Sequence, residues 1–90
     1  SNDINDKRLT NEEEIQDEIR NYLLKNALSS IQLTYKDKQE IVNHLHQQGF
    51  FKKRGAISTI ANSLQLTRQC IYNYLALAKI KKPYAKKGSE

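Results

Sequence analysis

The sequence predicts an all-α fold: a small helical bundle with a helix-turn-helix, preceded by an amphipathic N-terminal helix. Three observations carry this expectation. Threonines at positions 10, 34 and 67 are suited to cap helices, and each opens a stretch with apolar residues three and four apart. No segment alternates apolar and polar residues as a half-buried strand does. No internal repeat is visible.

Size and charge set bounds on function. The chain has 90 residues, with 15 Lys+Arg against 10 Asp+Glu, for a formal net charge of +5. That length makes one domain. A chain this small buries only about 60–65 % of its unfolded surface, which leaves little room for a deep catalytic cleft. No apolar run is long enough to cross a membrane, and no N-terminal segment reads as a signal peptide. The single Cys70 can form neither an internal disulfide nor a zinc cluster. A cytoplasmic protein without enzymatic activity or cofactor is the expectation.

The charge is unevenly placed. Residues 1–33 hold seven acids and four bases, a balance of −3. Residues 34–90 hold eleven bases and three acids, a balance of +8. Such asymmetry points to a polyanionic partner, although lysine is also a common surface residue.

Residues 1–9 read as a flexible lead-in. The chain opens Ser1-Asn2 rather than with Met, as a fragment trimmed by a protease would. Thr10-Asn11-Glu12-Glu13 fits a capping box, and Glu12, Glu13 and Glu14 then sit where the helix dipole favours anions. Ile15, Ile19, Tyr22, Leu23 and Ala27 give the stripe of a helix over about 11–28. That stripe packs on the rest of the domain, on a second copy, or on an upstream domain. With the linker at 29–33, residues 10–33 form an acidic connector.

Thr34-Tyr35-Lys36-Asp37 is a second capping box, and Ile41, Val42 and Leu45 form the inner face of a helix over about 35–48. Gly49 suits the left-handed residue after it. A short helix over 56–64 turns Ile57, Ile60, Ala61 and Leu64 inward. Gln65-Leu66 is a tight turn. Thr67 caps the next helix, expected from Arg68 to about Lys79, with Ile71, Tyr74, Leu75 and Ala78 on its apolar face. Pro83 and the lysines around it read as a frayed basic tail over 80–90.

Residues 57–76 have the spacing of a helix-turn-helix. Ala61 is small where two helices touch, and Ile60, Leu64, Leu66, Ile71 and Tyr74 are placed to lock the pair. An ordinary αα-corner is the plainer alternative. The position after the first helix usually carries Gly, because it takes positive φ, and here it is Gln65. Subtracting the inward positions leaves Thr67, Arg68, Gln69, Tyr72 and Asn73 on the outer face of the second helix. Arg can pair with guanine O6 and N7, and Asn or Gln with adenine N6 and N7. Thr67 and Tyr72 suit phosphate or a thymine methyl. Lys52, Lys53 and Arg54, just before the first helix of the unit, suit backbone phosphates, as does Lys79. Lys81, Lys82, Lys86 and Lys87 either extend that positive surface or stay solvated.

The run Gly49-Phe50-Phe51-Lys52-Lys53-Arg54-Gly55-Ala56-Ile57, then Ile60 to Leu64 and Leu66 to Leu75, resembles the C-terminal helix-turn-helix of the YheO-like transcriptional regulators. Leu33-Thr34, Lys38, Glu40-Ile41-Val42 and Leu45 resemble the helix before that motif. The similarity covers residues 33–76. Gln65 and Cys70 depart from it, where the family usually has Gly and Thr. The resemblance implies a bacterial transcription factor that works as a homo-oligomer on double-stranded, palindromic operator DNA. It also implies a PAS-like sensor domain upstream, absent from this chain, with residues 34–79 as the DNA-binding domain.

Other residues offer weaker leads. His44 and His46 are two apart, whereas helical metal pairs are three or four apart, so no metal site is expected. Cys70 near a helix N-terminus could act as a redox switch, but a packing role is the simpler reading. Two further functions fit the same pattern: the DNA-binding domain of a recombinase or transposase, and a helical protein-interaction module that binds no nucleic acid.

Overall fold

The computed structural model describes residues 8–88, with side chains described for 8–78. Four helices follow in order: α1 (Asn11–Lys25), α2 (Tyr35–Gln47), α3 (Ala56–Leu64) and α4 (Arg68–Gly88). A single 3-10 turn, Phe50–Lys52, joins α2 to α3. The described residues contain no strand.

The helices start where the threonines stand. Thr10 Oγ1 accepts the Glu13 amide at 3.1 Å, and Glu13 Oε1 accepts the Thr10 amide at 2.9 Å. Thr34 and Asp37 make the same reciprocal pair, both at 3.0 Å. These boxes satisfy amides that the first turn of a helix leaves without partners. Thr67 caps α4 alone: its Oγ1 accepts the Cys70 amide at 3.1 Å.

The ends are less regular than the starts. Ala27, expected inside the first helix, lies beyond its end with φ +55. The Leu28 amide reaches back to the Leu23 carbonyl at 2.9 Å, and the Ala27 amide to Leu24 at 3.3 Å. This is a Schellman closure, a geometry that usually selects Gly. Ala is the strongest helix former, and its apolar spacing matched the stripe, so propensity pointed one turn too far. Gly49 and Gly55 take φ +83 and +76, and a Cβ at either would meet nothing within 4 Å. Conformation, not space, therefore demands glycine there.

At the other end of the chain α4 continues through Pro83 to Gly88 instead of stopping near Lys79. Proline withholds one amide bond, but the Lys and Ala residues around it favour helix.

Among the described residues every buried side chain is apolar. Ile15 and Ile19 of α1, Ile41, Val42 and Leu45 of α2, Ala56, Ile60, Ala61 and Leu64 of α3, and Ile71 of α4 form one buried cluster. Helix α1 lies against α3, and α2 lies against α4. The acidic first helix thus has its partner within the chain. Phe50, Phe51, Leu66, Tyr74 and Leu75 close the cluster's rim.

Candidate nucleic-acid interface

The tight turn between α3 and α4 decides which side chains face outward. Gln65 sits at φ +55, ψ +49, the left-handed conformation expected at that position. The Leu66 amide donates to the Ala61 carbonyl at 2.8 Å, which folds Leu66 back against the core. Ala61, 3 % exposed, provides the small contact that lets α4 cross α3 closely. Burial of Ile71 then fixes the rotation of α4.

With that rotation set, Thr67, Arg68, Gln69, Tyr72 and Asn73 are all exposed. Their local bonds distinguish them. The Thr67 hydroxyl oxygen is engaged as the helix cap, leaving its proton free to donate. Arg68 Nη1 donates to Ser58 Oγ at 3.3 Å, tying the first turn of α4 to the first turn of α3. Gln69 Nε2 donates to Asn73 Oδ1 at 3.1 Å, one helical turn on. The Gln69 side-chain carbonyl and both Asn73 amide protons remain available, an acceptor and a donor on one face. Tyr72 lines a groove with His46, Gly49, Phe51, Lys52, Leu75 and Ala76, so it borders Lys52 across the α2–α4 side.

The basic cluster divides. Lys52 and Arg54 are exposed. Lys53 is not free: its Nζ lies 2.6 Å from Glu14 Oε1 of α1 and 5.6 Å from the centre of the Phe50 ring. The side chain of Lys79 lies outside the described residues.

Two participants carry no local signal in the sequence. Ser58 meets Arg68 only because the turn sets α4 across α3, ten positions on. Glu14 meets Lys53 across 39 positions. The acidic first turn was legible as a dipole feature, and its partner was not.

The remaining polar side chains mostly brace the helices. His44 Nε2 lies 2.7 Å from Glu18 Oε2, and its ring rests 4.9 Å from that of Tyr22. His46 stands 6.5 Å from Phe51, ring centre to ring centre. Burial, then the carboxylates of Glu40 and Asp37, push the Tyr22 phenol above its ordinary pKa. Burial, then Cys70 and Tyr35, do the same for Tyr74. Both phenols therefore stay neutral near pH 7. Among the described residues no group of three or more His, Cys, Asp or Glu could hold a metal ion. None of the described helices is long and apolar enough to cross a membrane.

The comparison with known families agrees with this geometry. A family model described as an HTH domain matches residues 14–76, from the first turn of α1 through the exposed face of α4. No curated protein and no solved structure matches the chain. The match spans well over half of the sequence and takes in both helices of the turn, and on that ground the chain belongs to the helix-turn-helix domain family.

Proposed function

We propose that this chain binds double-stranded DNA and reads its sequence through the first two turns of α4. The observation that carries the reading is the exposed set Thr67, Arg68, Gln69, Tyr72 and Asn73, which follows a tight turn and begins at a capped N-terminus. In that arrangement the helix N-terminus enters the major groove. Arg68, Gln69 and Asn73 contact base edges, and Thr67 and Tyr72 contact phosphate or a thymine methyl. Lys52 and Arg54 hold backbone phosphates beside the groove. Lys79 extends that contact by its place in the sequence.

The role that follows is the DNA-binding domain of a bacterial transcriptional regulator of the YheO-like kind, working in the cytoplasm. Its support is the resemblance over residues 33–76 together with the family match. A dimer would meet a palindromic operator with half-sites about 10 bp or a multiple apart, and a PAS-like sensor upstream would govern it.

Selection of bound sequences from a random duplex pool tests the reading. A recovered consensus, with binding that weakens as salt rises, is the expected result. Failure to retain random duplex DNA even at low salt overturns it and leaves the protein-interaction alternative.

A further inference from the structure

The Lys53–Glu14 pair joins a residue of the basic cluster to the acidic helix that packs behind it. We propose that Glu14 is a built-in competitor of DNA, holding Lys53 away from the phosphate backbone and setting the affinity of the domain through α1. The inference rests on the DNA-binding reading above.

The geometry supplies a contest rather than a lock. Nζ and Oε1 are 2.6 Å apart, yet the two side chains keep 31 % and 39 % of their surface exposed. An ion pair that exposed biases its partners by less than about fivefold. A phosphate approaching the Lys52–Arg54 loop is therefore a realistic rival for the same ammonium. The Phe50 ring at 5.6 Å supports the inward position of Lys53 but offers no countercharge. Glu14 stands on the same helix as Ile15, which is fully buried, so the backbone that carries the carboxylate is fixed by the core. Lys52 and Arg54, the neighbours on either side, are exposed and have no such partner among the ion pairs of the described residues.

Counterions give the proposal a signature beyond affinity. A free lysine that meets a phosphate releases about 0.9 of a condensed cation. A lysine that must leave Glu14 only exchanges one anionic partner for another, and the carboxylate it leaves nearby offsets its charge. The exchange contributes almost nothing to the salt slope.

The experiment compares wild type, Glu14→Gln, Lys53→Gln and the double variant on one duplex, from 50 to 300 mM salt, each shown folded by its melting curve. Glu14→Gln is expected to tighten binding by up to about fivefold at 100 mM salt and to steepen the log–log salt slope by about one. Lys53→Gln alone should change the slope little, and in its background Glu14→Gln should change neither quantity. The same gain in both backgrounds would mean that Glu14 acts only through its bulk charge, and would overturn the proposal. So would an unchanged slope in Glu14→Gln while wild type binds normally. Absence of binding by every variant and by wild type would overturn the DNA reading itself, and the proposal with it.

Discussion

Ala27 and Gln65 share one backbone conformation: each has φ +55 and ends its helix with the same pair of bonds. In each case the following amide reaches five residues back, Leu28 to Leu23 at 2.9 Å and Leu66 to Ala61 at 2.8 Å. In each case the residue's own amide reaches three back at 3.3 Å. Both side chains are exposed. A non-glycine residue in this region carries a Cβ penalty that glycine avoids. Ala27→Gly and Gln65→Gly are each expected to stabilise the fold by about 0.5–1 kcal/mol. For a domain of this size that corresponds to a rise of roughly 2–8 °C in melting temperature. A fall in either variant would show that the turn does not need its left-handed residue relieved.

Ile15→Ala should cost about 2–5 kcal/mol, because the side chain is fully buried against a core that includes α3. Urea unfolding followed by helical signal is expected to remain one transition at a lower midpoint. Two separate transitions would instead mark α1 as an appendage.

Arg68→Ala should lose about 1–3 kcal/mol on the selected site and relax the preference at one base pair. Ser58→Ala, which only unties Arg68 from α3, should reduce the same preference by a smaller margin and leave binding to random duplex unchanged. Competition binding with single-base variants of the site reads both effects.

The tyrosines give the pH prediction. Tyr22 and Tyr74 have phenol pKa values raised above 10.0 in the folded chain, mainly by burial. The unfolded chain loses these protons first as pH rises, so stability is fully present below about pH 10 and declines above it. Melting temperatures between pH 9 and pH 11 should fall, and Tyr22→Phe with Tyr74→Phe should flatten the decline. An equal decline in the double variant would assign it to other groups.

Much of this was legible because it is local. Thr10 with Glu13, and Thr34 with Asp37, are bonds three residues long, so their spelling is their structure. The apolar spacing of Ile41, Val42 and Leu45, or of Ile60, Ala61 and Leu64, fixes a buried face without reference to any neighbour. The turn at Gln65 was readable despite the missing glycine, since the residues on both sides demanded it. Ala27 misled because intrinsic propensity and apolar spacing both favoured helix, while the bond from Leu28 back to Leu23 that ends it is invisible in composition. Lys53 was read with Lys52 and Arg54 as one cluster. Only the packing of α1 on α3 separates it from them, and that contact spans most of the domain. The outer face of α4 was legible by subtraction, but the hold of Ser58 on Arg68 depends on an interhelix approach that no short window contains.

The shared core of α1 and α3 also governs how this unit can be recombined. Ile15 and Ile19 complete the wall formed by Ile60, Ala61 and Leu64. A cut between residues 33 and 34, the natural seam if α2, α3 and α4 were a cassette, would strip that wall and leave an adhesive surface. A transplanted helix-turn-helix would have to bring its first helix with it. The outer face of α4 and the acidic helix α1 are thus tied to one core.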